Sequence, residues 1–162
     1  MTEKTGAFDL RAHADEILAH AERAIARSRL GHYEHAGRHV VRKRLEALYE
    51  VLLRCIEERR LAPIVAHGEA IAQERFETGF DLREVQCAIN VLEEAVWKYL
   101  IRAVPPAELA QALGLVSTLF GGAKDALARE YVALATTTRS RSLDLAALLE
   151  GTAAETNEAS ST

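Results

Sequence analysis

The chain has 162 residues, 49% hydrophobic and 27% charged, with a formal net charge of −4 and few glycines and prolines. That length suits a single domain able to bury roughly 70% of its unfolded surface without disulfide or metal staples. The acidic balance excludes nucleic-acid binding by bulk electrostatics.

Cys55 and Cys87 sit in helical apolar patterns outside any CxxC spacing and read as reduced thiols. The start Met1-Thr2-Glu3-Lys4-Thr5 lacks a basic-then-apolar signal, and no apolar run nears the ~18–20 residues that span a bilayer. The chain is therefore expected to be cytoplasmic and off the membrane.

In chain order, Asp9 can cap a first helix over Leu10–Ser28, striped by Leu10, Ala14, Ile17, Leu18, Ala21 and Ile25. Leu30–Gly37, broken by two glycines, reads as a loop or a short helical turn. A second helix is expected over His39–Arg60, with Val41, Leu45, Leu48, Leu52 and Ile56 at helical steps. The basic run Arg38–Arg44 opens it, and its charges spread around the barrel as a solvated helix start.

Pro63 suits the first turn of a third helix, which runs to Thr78 and stops at Gly79. Asp81 then caps the fourth helix, through Ile101, with Glu84 placed for a capping box and Phe80 and Val85 for a hydrophobic staple. Its apolar residues, Val85 through Leu100, fill about half the helical wheel, so this helix belongs at the centre of the fold with neighbours on two sides. Val104-Pro105-Pro106 ends it. A long fifth helix follows, interrupted in pattern at Gly114 and at Gly121-Gly122, where close helix packing or a kink is expected.

The whole is expected to be all-α, a single compact bundle of five to six helices. The bundle occupies residues 1–135, a polar hinge from Thr136 to Ser142 and a short apolar helix occupy 136–150, and the small polar tail 151–162 is expected to be disordered.

Chemistry-bearing patterns are sparse. No phosphate-binding loop, nucleophile elbow or paired-carboxylate motif is present, so no catalytic residues are assigned and no cofactor is implied. His13, Glu16 and His20 share an i, i+3, i+7 spacing that could hold a divalent metal, against the plainer reading of a polar helix face. His32, His35 and His39 repeat the spacing across a glycine. His67 falls at the edge of the third helix's apolar arc.

The clearest anomaly lies on the wet face of the fourth helix. Asn90 and Glu94 are in line with Trp97 and Ile101, two large apolar groups one turn apart that want a partner. These four residues, with Leu145, Leu148 and Leu149 near the C-terminal end, are the expected dimer or partner surface. The competing reading has the fifth or sixth helix cover Trp97 within the monomer.

A resemblance joins these elements. Ala14-Asp15-Glu16-Ile17-Leu18, the leucine-rich Arg44–Leu52 stretch, the junction Ala72–Val85, and Ile89, Leu92 and Glu94-Ala95-Val96-Trp97 together resemble the N-terminal sensory domain of RsbT co-antagonist proteins, the RsbR/RsbRD family of bacterial stress regulators. The resemblance covers about Asp15 to Leu100. It implies a globin-like helical bundle without haem, usually dimeric, that takes in a signal and passes it to an output domain, and it carries over no catalytic residue. The chain after the bundle is too short for the family's phosphorylatable output domain. A free-standing sensor or adaptor, or a piece of something larger, is therefore expected.

The resulting expectation is a non-enzymatic signalling module that forms a homodimer or docks a signalling protein. The alternative is a small-molecule or metal sensor using a pocket in the bundle or the N-terminal histidines.

Overall fold

The structure, a computed structural model, describes residues 9–28 and 30–142. Six helices make up the fold: α1 (Ala14–Arg27), α2 (Gly31–Ala36), α3 (Arg38–Glu58), α4 (Ala62–Glu77), α5 (Leu82–Ala103) and α6 (Pro106–Ser142), with no strand among the described residues. The all-α expectation is met. No helix among the described residues is long and apolar enough to cross a membrane.

The first helix begins later than its pattern suggests. Asp9 accepts a hydrogen bond from the Ala12 amide at 3.0 Å, but this closes only a turn over Leu10–His13. The turn is anchored from elsewhere, since the buried Tyr49 hydroxyl donates to the Leu10 carbonyl at 2.7 Å. The segment after α1, open between loop and turn in the sequence, is the short helix α2. It buries Tyr33 and ends at Gly37, whose φ of 81° is one that side chains resist.

Helix α3 buries Val41, Leu45, Leu48, Tyr49, Leu52, Leu53 and Cys55. Its basic start leaves Arg38, His39 and Lys43 exposed, while Arg42 pairs with Asp15 and Glu22 of α1 and with Glu46 of its own helix. Helix α4 opens on Ala62-Pro63 and stops before Gly79, at φ 78°. Asp81 caps α5 by accepting from the Arg83 amide at 2.9 Å. The capping box does not form. Glu84 instead turns its carboxylate to His32, 2.6 Å away across 52 residues of sequence.

Helix α5 is the central element. Nine of its 22 residues are buried, and it packs against α1, α3, α4 and α6. Leu92, Val96 and Leu100 are fully buried, each contributing roughly 1.5–3 kcal/mol by leaving water. Helix α6 continues through Gly121-Gly122 for 37 residues and lies along α4 and α5. Gly68 explains how closely α4 approaches it: a Cβ there would fall 2.6 Å from the Ala123 carbonyl oxygen.

The hinge expected at Thr136–Ser142 is corrected. Helix α6 runs through it, and Thr136, Thr137 and Thr138 donate their hydroxyls to the carbonyls of Val132, Ala133 and Leu134. Polar residues that read as a linker are here satisfied on their own helix. The short apolar helix and the tail expected beyond it lie outside the described residues.

Candidate functional site

Two regions gather the side chains that can recognise something. The first is the outer face of α5. Trp97 is 39% exposed and Ile101 57% exposed, so neither is covered by another element among the described residues. Polar pairs flank them. Asn90 accepts from the Lys124 ammonium at 3.0 Å, Lys124 also pairs with Glu93 at 2.7 Å, and Glu94 pairs with Lys98 at 2.6 Å. The hydrogen bond from Lys98 holds the Glu94 carboxyl below the usual carboxylate range. Of the surface expected from the sequence, Leu145, Leu148 and Leu149 lie outside the described residues.

The N-terminal residues expected as metal ligands border a groove between α1 and α5, but they are not assembled for a metal. His13 precedes α1, so the helical spacing assumed for it is not realised, and its Nδ1 lies 3.0 Å from both the Asp9 carbonyl and the Tyr99 hydroxyl. Glu16 is taken by Arg102 at 2.5 Å, whose hydrogen bond lowers its carboxyl pKa. The His20 Nε2 faces the Lys98 ammonium at 3.4 Å, and partial burial, reinforced by that cation, lowers its pKa. Among the described residues no group of three or more His, Cys, Asp or Glu side chains is placed to hold a metal ion. The second histidine set is likewise dispersed: His32 binds Glu84, His35 faces the Gly31 carbonyl, and the turn at Gly37 separates both from His39.

The second region is a half-open cavity of about 230 Å³ between α3, α4 and α5, with Tyr33 of α2 on one side. Val41, Leu45, Leu48, Ile71, Val85, Ala88 and Ile89 make its walls. Charged and titratable side chains line it as well: Lys43 and Arg44 of α3, and His67, Glu74 and Arg75 of α4. Arg75 is only 4% exposed. Arg44 Nη1, His67 Nε2 and Arg75 Nε are all buried without a hydrogen-bond partner. A buried polar atom left unmet costs on the order of 1–3 kcal/mol, so three on neighbouring side chains form an unusual concentration.

What holds these groups is partial. The Phe80 ring lies 5.1 Å from the Arg44 guanidinium carbon and 5.5 Å from that of Arg75, a cation–π contact with each. Glu74 pairs with Arg75 and stands 3.9 Å from Arg44, but it is an exposed side chain at the rim. Burial lowers the Arg44 pKa, and the neighbouring Arg75 charge adds to that effect. Burial likewise pushes the His67 imidazole down, again with Arg75 contributing. The Tyr33 hydroxyl, raised by burial, interacts with Arg75.

The sequence pattern missed this cavity, yet a signal was there. Arg75 stands seven residues after Gly68 and three after Ala72, on the buried arc of α4, and Arg44 stands between Val41 and Leu48 on that of α3.

An all-α bundle with a cation-lined cavity between its helices and an aromatic on the outside of its central helix is a fold arranged for recognition surfaces rather than for a sheet-borne site. The family follows from comparison: the chain belongs to the RsbT co-antagonist protein rsbRD N-terminal domain family, whose model matches residues 11–145. Domains of this family are regulatory modules of stress signalling. No curated protein and no solved structure matches the chain.

Proposed function

We propose that the chain is a non-enzymatic, cytoplasmic regulatory domain that forms a homodimer and docks a signalling protein through the outer face of α5. The observation that carries this reading is the exposure of Trp97 and Ile101, one turn apart, on the helix that is otherwise the most deeply packed. Aromatic side chains at the centre of an interface commonly supply most of its energy, and truncating one costs about 2 kcal/mol or more, roughly thirty-fold in affinity. The polar rim of Asn90, Glu94, Lys98 and Lys124 suits the edge of such a surface.

Sedimentation and affinity capture of the wild type beside the Trp97→Ala/Ile101→Ala variant test it. The variant is expected to stay helical by circular dichroism, to sediment as a monomer, and to lose a signalling protein that the wild type retains. A variant that self-associates and captures as the wild type does would refute this face.

A second reading rests on a different observation, the cavity between α3, α4 and α5, whose Arg44, His67 and Arg75 each keep a buried nitrogen without a partner. In it the bundle senses a small molecule, and occupancy of the cavity changes how the surface helices present themselves.

A further inference from the structure

We propose that the cavity between α3, α4 and α5 binds a small organic monocarboxylate, with the carboxylate held by Arg44 and Arg75 and an apolar body resting on Ile71 and Ile89. The inference rests on the second reading above, that the bundle holds a ligand, and names the class of that ligand.

Charge balance is the first argument. Two guanidinium groups face the cavity, with side chains 5% and 22% exposed, against one rim carboxylate, Glu74, that is 61% exposed. Glu84, the other acid of this region, is already held by His32. A buried cation is tolerated when an anion or a set of acceptors meets it. Here the protein supplies the positive side of the pair and leaves the negative side short.

Geometry is the second. Arg44 and Arg75 bring two different guanidinium forks to the lining, beside the His67 ring, and each fork keeps one buried nitrogen without a partner, Arg44 Nη1 and Arg75 Nε. Planar guanidinium forks match the two oxygens of a carboxylate. The Phe80 ring lies against both guanidinium groups, which orients them before any ligand arrives. Pre-set orientation spares the ligand that ordering cost.

The walls settle what stands behind the charge. Apart from Tyr33 and the charged or titratable side chains of Lys43, Arg44, His67, Glu74 and Arg75, the lining is aliphatic, which suits a hydrocarbon body. At ~30 Å³ per water, about 230 Å³ is the room of roughly eight waters, the bulk of a short-chain or single-ring acid. Inorganic phosphate would meet the guanidinium groups but leave the aliphatic wall unused.

The test uses the full chain and four probes in isothermal titration at pH 7: benzoate, hexanoate, the neutral benzyl alcohol, and inorganic phosphate. At least one of the two acids is expected to bind saturably at one site per chain. Binding should weaken roughly ten- to hundred-fold in Arg44→Met and in Arg75→Met, the loss of a charge-assisted hydrogen bond. Arg44 is only partly buried, so that variant keeps the test open if Arg75→Met does not fold.

Benzyl alcohol binding as tightly as benzoate overturns the carboxylate assignment and leaves the ligand pocket standing. Phosphate binding as tightly as the acids, or acid binding unchanged in both variants, overturns the proposed site. No binding of any probe up to about 10 mM overturns the inference and the sensing reading together. The α5 surface is judged separately by its own sedimentation result.

Discussion

The packing of α4 on α6 makes one glycine worth a quantitative prediction. A methyl group added at Gly68 would stand 2.6 Å from the Ala123 carbonyl oxygen and 3.3 Å from the Ala126 Cβ, where ordinary contact begins near 3.4 Å. The near neighbour is backbone on a long helix, so relief requires α4 to retreat by roughly 3.4 − 2.6 = 0.8 Å. Overpacking of this kind costs ~1–3 kcal/mol. Replacing a helical glycine by alanine returns ~0.8–1 kcal/mol of propensity. Gly68→Ala is therefore expected to destabilise the fold by about 1 kcal/mol net.

Gly121 supplies the internal control. It also lies within a helix, but a Cβ there meets nothing within 4 Å, so Gly121→Ala keeps the propensity gain and stabilises by about 0.8–1 kcal/mol. The same substitution thus takes opposite signs at two sites, with a difference of about 2 kcal/mol. For a chain of this size, that separates the two melting temperatures by about 4–8 °C in a circular-dichroism scan. A Gly68→Ala protein that melts at or above Gly121→Ala would mean that α4 and α6 do not approach as described, and the wall that α4 gives the cavity would fall with it.

Three further outcomes follow from individual contacts. Tyr49→Phe should cost about 1–2 kcal/mol in urea unfolding, because it strips the Leu10 carbonyl of its buried donor and frees the turn before α1. Asp81→Ala, which removes the acceptor for the Arg83 amide, should cost about 1 kcal/mol, while Asp81→Asn restores most of it. His67 provides a pH dependence. Its folded pKa lies below the unfolded value near ~6.5, so the unfolded chain takes the proton first; stability is full above that value and declines as pH falls through it toward the folded pKa. His67→Gln should flatten that acid slope in a series of melts between about pH 7 and pH 5, and an unchanged slope would assign it to other groups.

Much of the frame was legible because its punctuation is local. Gly79, Asp81 and Pro105 mark the ends of α4 and α5 through backbone conformations and caps that the residues themselves prefer. Trp97 and Ile101 were legible as exceptions, apolar groups in a stripe that is otherwise polar. What escaped depended on partners distant in sequence or on competing local bonds. Glu84 had a plausible local role at the start of α5, and a stronger acceptor role toward His32 overrode it. Thr136–Thr138 have the composition of a linker, but hydroxyls that return to their own helix remove the need for one. Arg75 was hidden by its charge. Its spacing puts it on the buried arc of α4, and only the folded chain shows that its Nε is buried there without a partner.

The unbroken course of α6 has a mechanical consequence. At ~1.5 Å per residue its 37 residues form a rod of about 55 Å, and Ala123, the point on which Gly68 rests, lies about 28 Å from the end at Ser142. Beyond Tyr131 the side chains of Val132, Ala133 and Thr136 to Thr138 are exposed, and Leu134 is half-buried. A soft joint at Thr136 would have absorbed any motion begun at the α4 contact. A continuous hydrogen-bond ladder magnifies it instead, since a tilt of about 5° there displaces the far end by about 2.4 Å and an axial turn arrives there undiminished. The contact from which such a motion would be carried along α6 sits on the helix that also bears His67 and Arg75.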